Sequence, residues 1–475
     1  MSTTSPPDVR RLCAHADARA DDLAALTDAE RGAMLRTLGT ALTDATDEIV
    51  TVADDETHLG RARLSGELDR TACQLNLYAD VIAEGFHLDA MIDPPDGVRP
   101  DVRHILVPVG PVAVFSASNF PLAFSVAGTD TASALAAGCP VVVKAHEGHP
   151  RLSALVAEIA TSVLPDGALS IVYGREAGRH LVQDPAIAAV AFTGSLAGGR
   201  ALHDLAASRR DPIPFYGELG SINPVVVTPA AAGSRLPSIV DGFVASFTLG
   251  QGQFCTKPGL LFLPAGHGGE ELLRQGVQRV AAAPLLGDWV TDGYARALAT
   301  LRGHAGVREL VVQEPPGPTL LTMPASAFDA EAAAECFGPA SLIVEYGSDD
   351  ELRRALSVIE GSLTVTLHGE LPQDADLASG LVGWARRRAG RIIWNGWPTG
   401  VAVTWAMQHG GPWPASTSLH TSVGAGAVRR FLRPLAYQDV PQELLPTLLR
   451  DGPAGIPRRV AGRLEGTAVS TADLR

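Results

Sequence analysis

Cys255 stands in GQGQFCTKPG, a glycine-rich bend that follows the helix-like segment DGFVASFTLG. An arbitrary cysteine is usually a small buried hydrophobe. This one is followed by polar Thr256 and Lys257 and flanked by Gly250, Gly252 and Gly259, so a substrate can approach the backbone beside the sulfur. A thiol so placed suits nucleophilic catalysis through its thiolate. Glu218, in PFYGELGSINPVVV, lies between two apolar runs where an exposed charge is out of place. A partly desolvated carboxylate there has a raised pKa and serves as a general base near neutrality. Asn119, in VAVFSASNFPLAF, directly follows an apolar strand, with Phe120 and Pro121 behind it. Two roles fit: a turn former, or an amide that donates to an oxyanion. His409, in AMQHGGP, is one of 13 histidines; the Gly pair after it places it either in a structural loop or at a pocket rim.

These residues need elements to hold them. The first ~90 residues repeat apolar positions every three or four and read as helices, and MIDPPDGVRPD reads as a linker. Beyond it, apolar runs (PVAVF, PVVVKA, ALSIVYG, IAAVAFTG) alternate with helical segments. Strands apolar on both faces indicate a parallel sheet covered by helices on each side, whose ligands bind beyond the carboxyl ends of the strands. A second alternating region runs from about residue 218 to RIIWNGWPTG, and the last ~70 residues lose the rhythm and are rich in Gly and Pro.

The 475 residues imply two or three domains. With 46% hydrophobic and 19% charged residues the chain is an ordinary globular one, and a net charge of −14 argues against a nucleic-acid surface. An acidic chain can still hold an anionic cofactor at a helix N-terminus. No apolar run is long enough for a membrane span, and the polar, acidic N-terminus does not read as a secretory leader. Five scattered cysteines without metal-ligand spacing point to a reduced, cytoplasmic chain with no metal.

Six strings between residues 118 and 341 carry a resemblance: SASNFPLAF, PVVVKAHEGHP, AFTGSLAGG, GELGSINP, GQFCTKPG and ECFGPAS. In order and spacing they resemble the aldehyde dehydrogenase superfamily. That resemblance implies a Rossmann-like α/β cofactor domain, an α/β catalytic domain and a small oligomerisation element. It implies Cys255 as nucleophile, Glu218 as the base for thiol and water, and Asn119 with the Cys255 N–H as the oxyanion hole. It implies a cofactor held by Lys144 and Glu147 at the adenosine ribose, by Gly174, Arg175, Phe192, Gly194, Ser195, Gly199 and Leu219 along its length, and by Glu335 and Phe337 at the nicotinamide end. The phosphate loop, Gly194-Ser-Leu-Ala-Gly-Gly199, departs from GxGxxG but opens a helix after a strand.

Within that superfamily ARLSGELDRTACQL, NGWPTGVAVTWAMQHGGPWPAST and SVGAGAVRRFLRPLAYQDVP resemble the branch of 2-oxoglutarate semialdehyde (2,5-dioxovalerate) dehydrogenases and related NADP-linked enzymes. The implied reaction is oxidation of 2-oxoglutarate semialdehyde to 2-oxoglutarate. Alternatives are a broad-specificity aldehyde dehydrogenase, an enzyme passing its thioester to coenzyme A, or a non-catalytic cofactor binder. The stretch between the nucleophile and ECFGP is shorter than in the family. A substrate with a distal carboxylate calls for a cationic clamp; Arg63 and Arg70, seven apart and so on one helical face, are candidates or else solvated arginines, with Phe120 and His409 also at the substrate end. Both NAD and NADP stay open. Glu147 can accept from both ribose hydroxyls, whereas His146, His149, Arg175 and Arg179 could receive a 2′-phosphate. The resemblance implies residues 1–96 and 108–217 as the cofactor domain, 218–405 as the catalytic domain, and 97–107 with 406–475 as the arm and tail of a homodimer or homotetramer.

Overall fold

The computed structural model describes residues 2–314 and 316–466 and builds them on three sheets. The first is parallel throughout, in the order Leu169–Val172, Val141–Lys144, Val112–Phe115, Ala189–Thr193, Phe215–Glu218. Its chain starts in the middle, runs to one edge and returns to fill the other. The crevice between the loops after Phe115 and Thr193 is therefore the topological switch point where ligands bind in such sheets. The apolar runs became strands because helices bury them on both sides: Val112, Val141, Val142, Val143 and Val190 are all fully buried.

The second sheet runs Arg308–Val312, Thr319–Pro324, Ala340–Tyr346, Leu260–Pro264, Pro224–Val227, Ser362–His368, Ala389–Trp394. Only its first pair is antiparallel. Five helices precede the first sheet, and the longest, Arg61–Glu84, governs the site. Leu64, Leu68, Thr71, Leu75, Tyr78 and Ile82 recur at spacings of three and four and are buried against Asp28–Asp44 and Thr129–Ala137. Gly85 ends this helix at φ 82°, a left-handed cap that costs a residue without Cβ little. On the buried face Glu67 accepts the backbone N–H groups of Leu122 and Ala123 at 2.8 and 3.0 Å, tying the helix to the loop that carries Asn119.

The third sheet orders Leu432–Gln438, Val102–Pro108, Met91–Asp93, Arg458–Val460, Arg463–Glu465. Two expected boundaries move. Met91–Asp93 pairs with Val102–Pro108, so this element starts before residue 97. The stretch 406–431 lies with the larger domains rather than in the arm, because Ala427, Val428 and Phe431 are buried in one core with Val112 and Leu135. A Gly- and Pro-rich composition hid those few apolar anchors. Residues 467–475 of the expected tail lie outside the described residues. Among the described residues no helix is long and apolar enough to cross a membrane.

The same returning segment is fastened by a buried ion pair, Arg430 Nη1 to Asp130 at 2.7 Å, with a further bond from Arg430 to the Ser133 hydroxyl at 3.1 Å. Breaking a buried pair leaves an uncompensated charge. Arg430→Ala is expected to destabilise the fold by about 3–5 kcal/mol. Thermal unfolding of the variant checks it, and an unchanged midpoint would show that the pair contributes nothing net.

Candidate active site

Cys255 reaches its place through a tight reversal. The helix Pro229–Thr248 runs into a short turn, Leu249–Gly252, in which Gly250, Gln251 and Gly252 have φ of 55°, 58° and 66°. A Cβ on Gly252 would lie 2.2 Å from the Gly338 carbonyl oxygen, so only glycine lets this turn meet the loop that carries Glu335 and Phe337. Glu218 ends the last strand of the first sheet and is buried. One of its oxygens accepts the Ser416 hydroxyl at 2.9 Å; the other, Oε2, has no hydrogen-bond partner. Between them stands His409, buried, with Nε2 3.6 Å from Cys255 Sγ and 3.8 Å from Glu218 Oε2. Asn119 Nδ2 donates to the Gln253 carbonyl at 3.1 Å, two residues before the sulfur, and the Asn119 carbonyl accepts from Arg63 Nη2 at 2.6 Å.

A cavity of about 360 Å³ is walled by Cys255, Glu218, Asn119 and His409 together with Gly194, Ser195, Leu219, Glu335 and Phe337. It continues into one of about 700 Å³ walled by Lys144, Glu147, Arg175, Phe192, His146 and Arg179, the two sharing Ser118, Thr193, Gly194, Ser195 and Trp289. Together they form one groove across the switch point. The groove fits a dinucleotide. Ser195 caps the helix Leu196–Ala207, accepting the Gly198 N–H at 3.2 Å, and so aims a helix N-terminus at the middle of the groove. Lys144 and Glu147 pair at 2.5 Å at one end, and Glu335 lies at the other.

Not every expected contact faces this space. Gly199 packs the helix onto the neighbouring strand, since a Cβ there would lie 2.1 Å from Leu219 Cδ2. Gly174 is the cap of the helix Arg175–Gln183 and faces Thr3. His149 is fully buried and bonds the Ala117 carbonyl at 3.0 Å, out of reach of a ribose phosphate. Phe120 lies among Phe124, Phe254 and the Arg63 guanidinium, outside both cavities.

The electrostatics follow from burial. Desolvation first, then the neighbouring Glu218 and Glu335 carboxylates, push the Cys255 thiol up to about 12, against the pull of Arg70 and Arg391. Burial lifts Glu218 to about 8, only partly offset by the Ser416 hydrogen bond and by Arg430. His409 is driven down to about 3 by burial and by Arg391 and Arg70. Burial raises Glu335 to about 7, opposed by Lys257 and by the Ser221 N–H. A neutral thiol, an uncharged imidazole and a carboxyl poised near neutrality are what a site needs to move a proton from sulfur to oxygen.

Residues 1–293 match the description "Aldehyde dehydrogenase family". The chain belongs to the aldehyde dehydrogenase family. It is similar to alpha-ketoglutaric semialdehyde dehydrogenase 2 of Azospirillum brasilense, 45% identical over 96% of this chain and 92% of that one. It is 40% identical to alpha-ketoglutaric semialdehyde dehydrogenase of Acinetobacter baylyi, over 92% and 88% of the two chains. Aldehyde dehydrogenase C of Pseudomonas syringae, solved with NAD+ and octanal, shares the fold at a TM-score of 0.78 and 20% identity, over 93% and 90%. As a member of this family the protein is an NAD(P)-dependent oxidoreductase that oxidises aldehydes.

In this aldehyde dehydrogenase, sequence reasoning missed residues that hold the site from behind. Ser416 and Arg391 have no local signature, because their partners are far away along the chain. Asn223 had a faint one, an Asn-Pro pair at the start of an apolar strand. Its Nδ2 reaches the carbonyls of Ser221, Cys255 and Lys257 at 3.3, 2.8 and 3.0 Å, and its Oδ1 accepts from Ser221 and from Thr364. Its φ of 50° is one that Asn tolerates better than most residues. Asn223→Ala is expected to cost about 3 kcal/mol or more, from orphaned buried groups and from strain, and to lower kcat without a matching rise in the Km for cofactor. Calorimetry with steady-state kinetics measures both; a variant as stable and active as the parent would refute the bracing role.

Proposed function

We propose that this protein oxidises 2-oxoglutarate semialdehyde to 2-oxoglutarate through a thioester on Cys255. The reading is supported by the approach of one imidazole nitrogen to both the Cys255 sulfur and the Glu218 carboxylate, and by the two relatives with that substrate in their names. The ionised Glu218 carboxylate takes up the thiol proton and releases it to solvent before the second half of the reaction, while the uncharged His409 imidazole lies beside both groups. The thiolate adds to the aldehyde carbon, and the negative oxygen of the thiohemiacetal is held by the Asn119 amide, turned from Gln253, and the Cys255 N–H. NAD(P)+, held by Lys144, Glu147, Ser195 and Glu335, supplies the hydride acceptor. Glu218 then deprotonates water, which attacks the thioester carbonyl; the carboxylate leaves and the sulfur is regenerated. Having a base for water in place disfavours transfer to coenzyme A.

Both nicotinamide cofactors fit this reading, with Glu147 setting the balance. A 2′-phosphate beside that carboxylate is repelled by ~1–4 kcal/mol at 4 Å, whereas Arg175 and Arg179 on the same wall attract it. The enzyme works in a reducing cytoplasm, with all five cysteines free. It assembles as a homodimer or homotetramer through the small sheet, whose edge strand Leu432–Gln438 is largely open.

Cys255→Ala is expected to abolish NAD(P)H formation while cofactor binding persists; retained turnover would end the proposal. Glu218 acts as a base only when ionised, and its pKa lies near 8. kcat/KM should therefore climb from pH 6 and level off above 8. Glu218→Gln should remove that limb and slow turnover by about 10²–10⁴-fold. A wild-type profile flat over this range would count against Glu218. Glu147→Ser is expected to shift the NADP-to-NAD ratio of kcat/KM upward by about tenfold or more, tenfold lying near the lower end of the repulsion range; an unmoved ratio would place the ribose elsewhere.

A further inference from the structure

One large apolar side chain stands half-exposed where the two cavities of the groove join. Trp289 is the second residue of the helix Asp288–Gly303. Val290, Tyr294, Leu298 and Leu301 of that helix recur at spacings of three and four and are buried in one core with Leu260 and Phe262 of the second sheet. Trp289, Gly293 and Ala297 form an adjoining stripe, four residues apart, and all three wall the cavity that holds Cys255. Only the first of them is large. A Cβ on Gly293 would meet nothing within 4 Å, so the space one turn beyond the indole is open.

The indole reaches across the groove to the first sheet. It meets the loop after Lys144 at Gly148, where a Cβ would lie 2.5 Å from Trp289 Cη2, and the Trp289 and His146 ring centroids are 5.8 Å apart. Glycine at 148 is what admits the ring. Among the described residues five are common to the two cavities. Ser118, Thr193, Gly194 and Ser195 lie in loops after first-sheet strands, and Trp289 alone comes from the elements around the second sheet. None of the five is charged. Trp289 also walls a separate hollow of about 670 Å³ with Glu56, His58 and Pro284, so the ring stands as a partition with space on both sides. It is left 43% exposed, although nearby apolar residues of the same helix are buried.

We propose that Trp289 is a cofactor-binding residue that lies over the waist of the dinucleotide, covering the diphosphate and the nicotinamide ribose beside it. This rests on the reading of the groove as an NAD(P) site and deepens it. At the neck the diphosphate meets no lysine or arginine; it meets the helix N-terminus capped by Ser195. A partial charge of that kind attracts an anion more strongly where water is kept away, because the attraction scales inversely with the local dielectric constant. An indole laid over the waist excludes that water and buries its own open face in the same step. The small residues at 293 and 297 leave the nicotinamide end clear, so the cover stops short of the reacting sulfur.

The test measures equilibrium binding of NADH, NADPH and 5′-AMP to the full-length wild type, Trp289→Ala and Trp289→Phe. The reduced nicotinamide is followed by its own fluorescence, and 5′-AMP, which ends at the first phosphate, by competition. In Trp289→Ala the dissociation constants of both dinucleotides are expected to rise by about tenfold, and that of 5′-AMP by less than about twofold. Phenylalanine keeps a flat apolar face of smaller area, so Trp289→Phe should fall in between; if the Ala variant does not fold, that intermediate loss decides. Unchanged dinucleotide affinity would overturn the proposal. An equal loss for 5′-AMP would also overturn it, by showing that the indole only braces the 146–148 loop. A wild type that binds neither dinucleotide would instead defeat the reading of the groove itself.

Discussion

The carboxamide of Asn223 is the junction on which the site depends. It is buried where three segments meet: the loop after Glu218, the loop of Cys255 and the strand Ser362–His368. Apolar packing can bring such segments together, but it is non-directional and does not fix a sulfur to within fractions of an ångström of a carboxylate. Hydrogen bonds to a rigid amide do, because each has a narrow optimum of distance and angle. The missing side chain at Gly252 completes the junction from the other side, letting the nucleophile turn lie against the carbonyl of Gly338. Cofactor loop, nucleophile and base are thereby set by contacts that no reactant touches.

A site excluded from water faces an energetic conflict, since each reacting group needs a charge at some moment and a buried charge is costly. The resting protein resolves it by keeping the groups neutral or nearly so. Burial raises Glu218 and Cys255 and lowers His409, so all three shifts favour the uncharged forms. Charge then appears only as the reaction proceeds. A thiol raised this far is a poor nucleophile until its proton has an acceptor, and the ionised form of the nearby Glu218 carboxyl provides one. The unpartnered Glu218 Oε2 is consistent with an oxygen held in reserve for a proton or a water.

Much of this was legible in the sequence. The parallel sheet followed from the apolar runs, and Cys255, Glu218, Asn119 and His409, each picked out by residue type and local setting, converge on one cavity. What stayed hidden was whatever depends on distant parts of the chain. Ser416 meets Glu218 across nearly two hundred residues, and nothing around Ser416 announces it. Arg63 and Arg70 share a helical face as their spacing required, but periodicity does not say what each one meets; one holds Asn119 and the other Val401. Gly199 looks like a phosphate-loop glycine in a one-dimensional reading and the resemblance makes Gly174 a cofactor contact, and only packing shows that their missing side chains make room for Leu219 and Thr3.

The stretch from about residue 395 to 423 makes the same point from the opposite direction. It contains neither a helix nor a strand, and Gly and Pro punctuate it, so by local rules it is a loop. Yet it provides His409, Ser416 and the carbonyls held by Arg70 and Arg391. A segment with no backbone ladder of its own can be rigid if side chains elsewhere take up its polar groups. Here Thr421 accepts the His409 N–H at 2.8 Å, Ser416 accepts from Gly411 at 3.1 Å, and the Leu219 N–H reaches Ala415 at 2.8 Å. Because both large domains contribute anchors, a shift of one against the other would displace the imidazole from the sulfur. The chemistry is therefore coupled to how the two domains meet, through a segment that composition alone would mark as a connector.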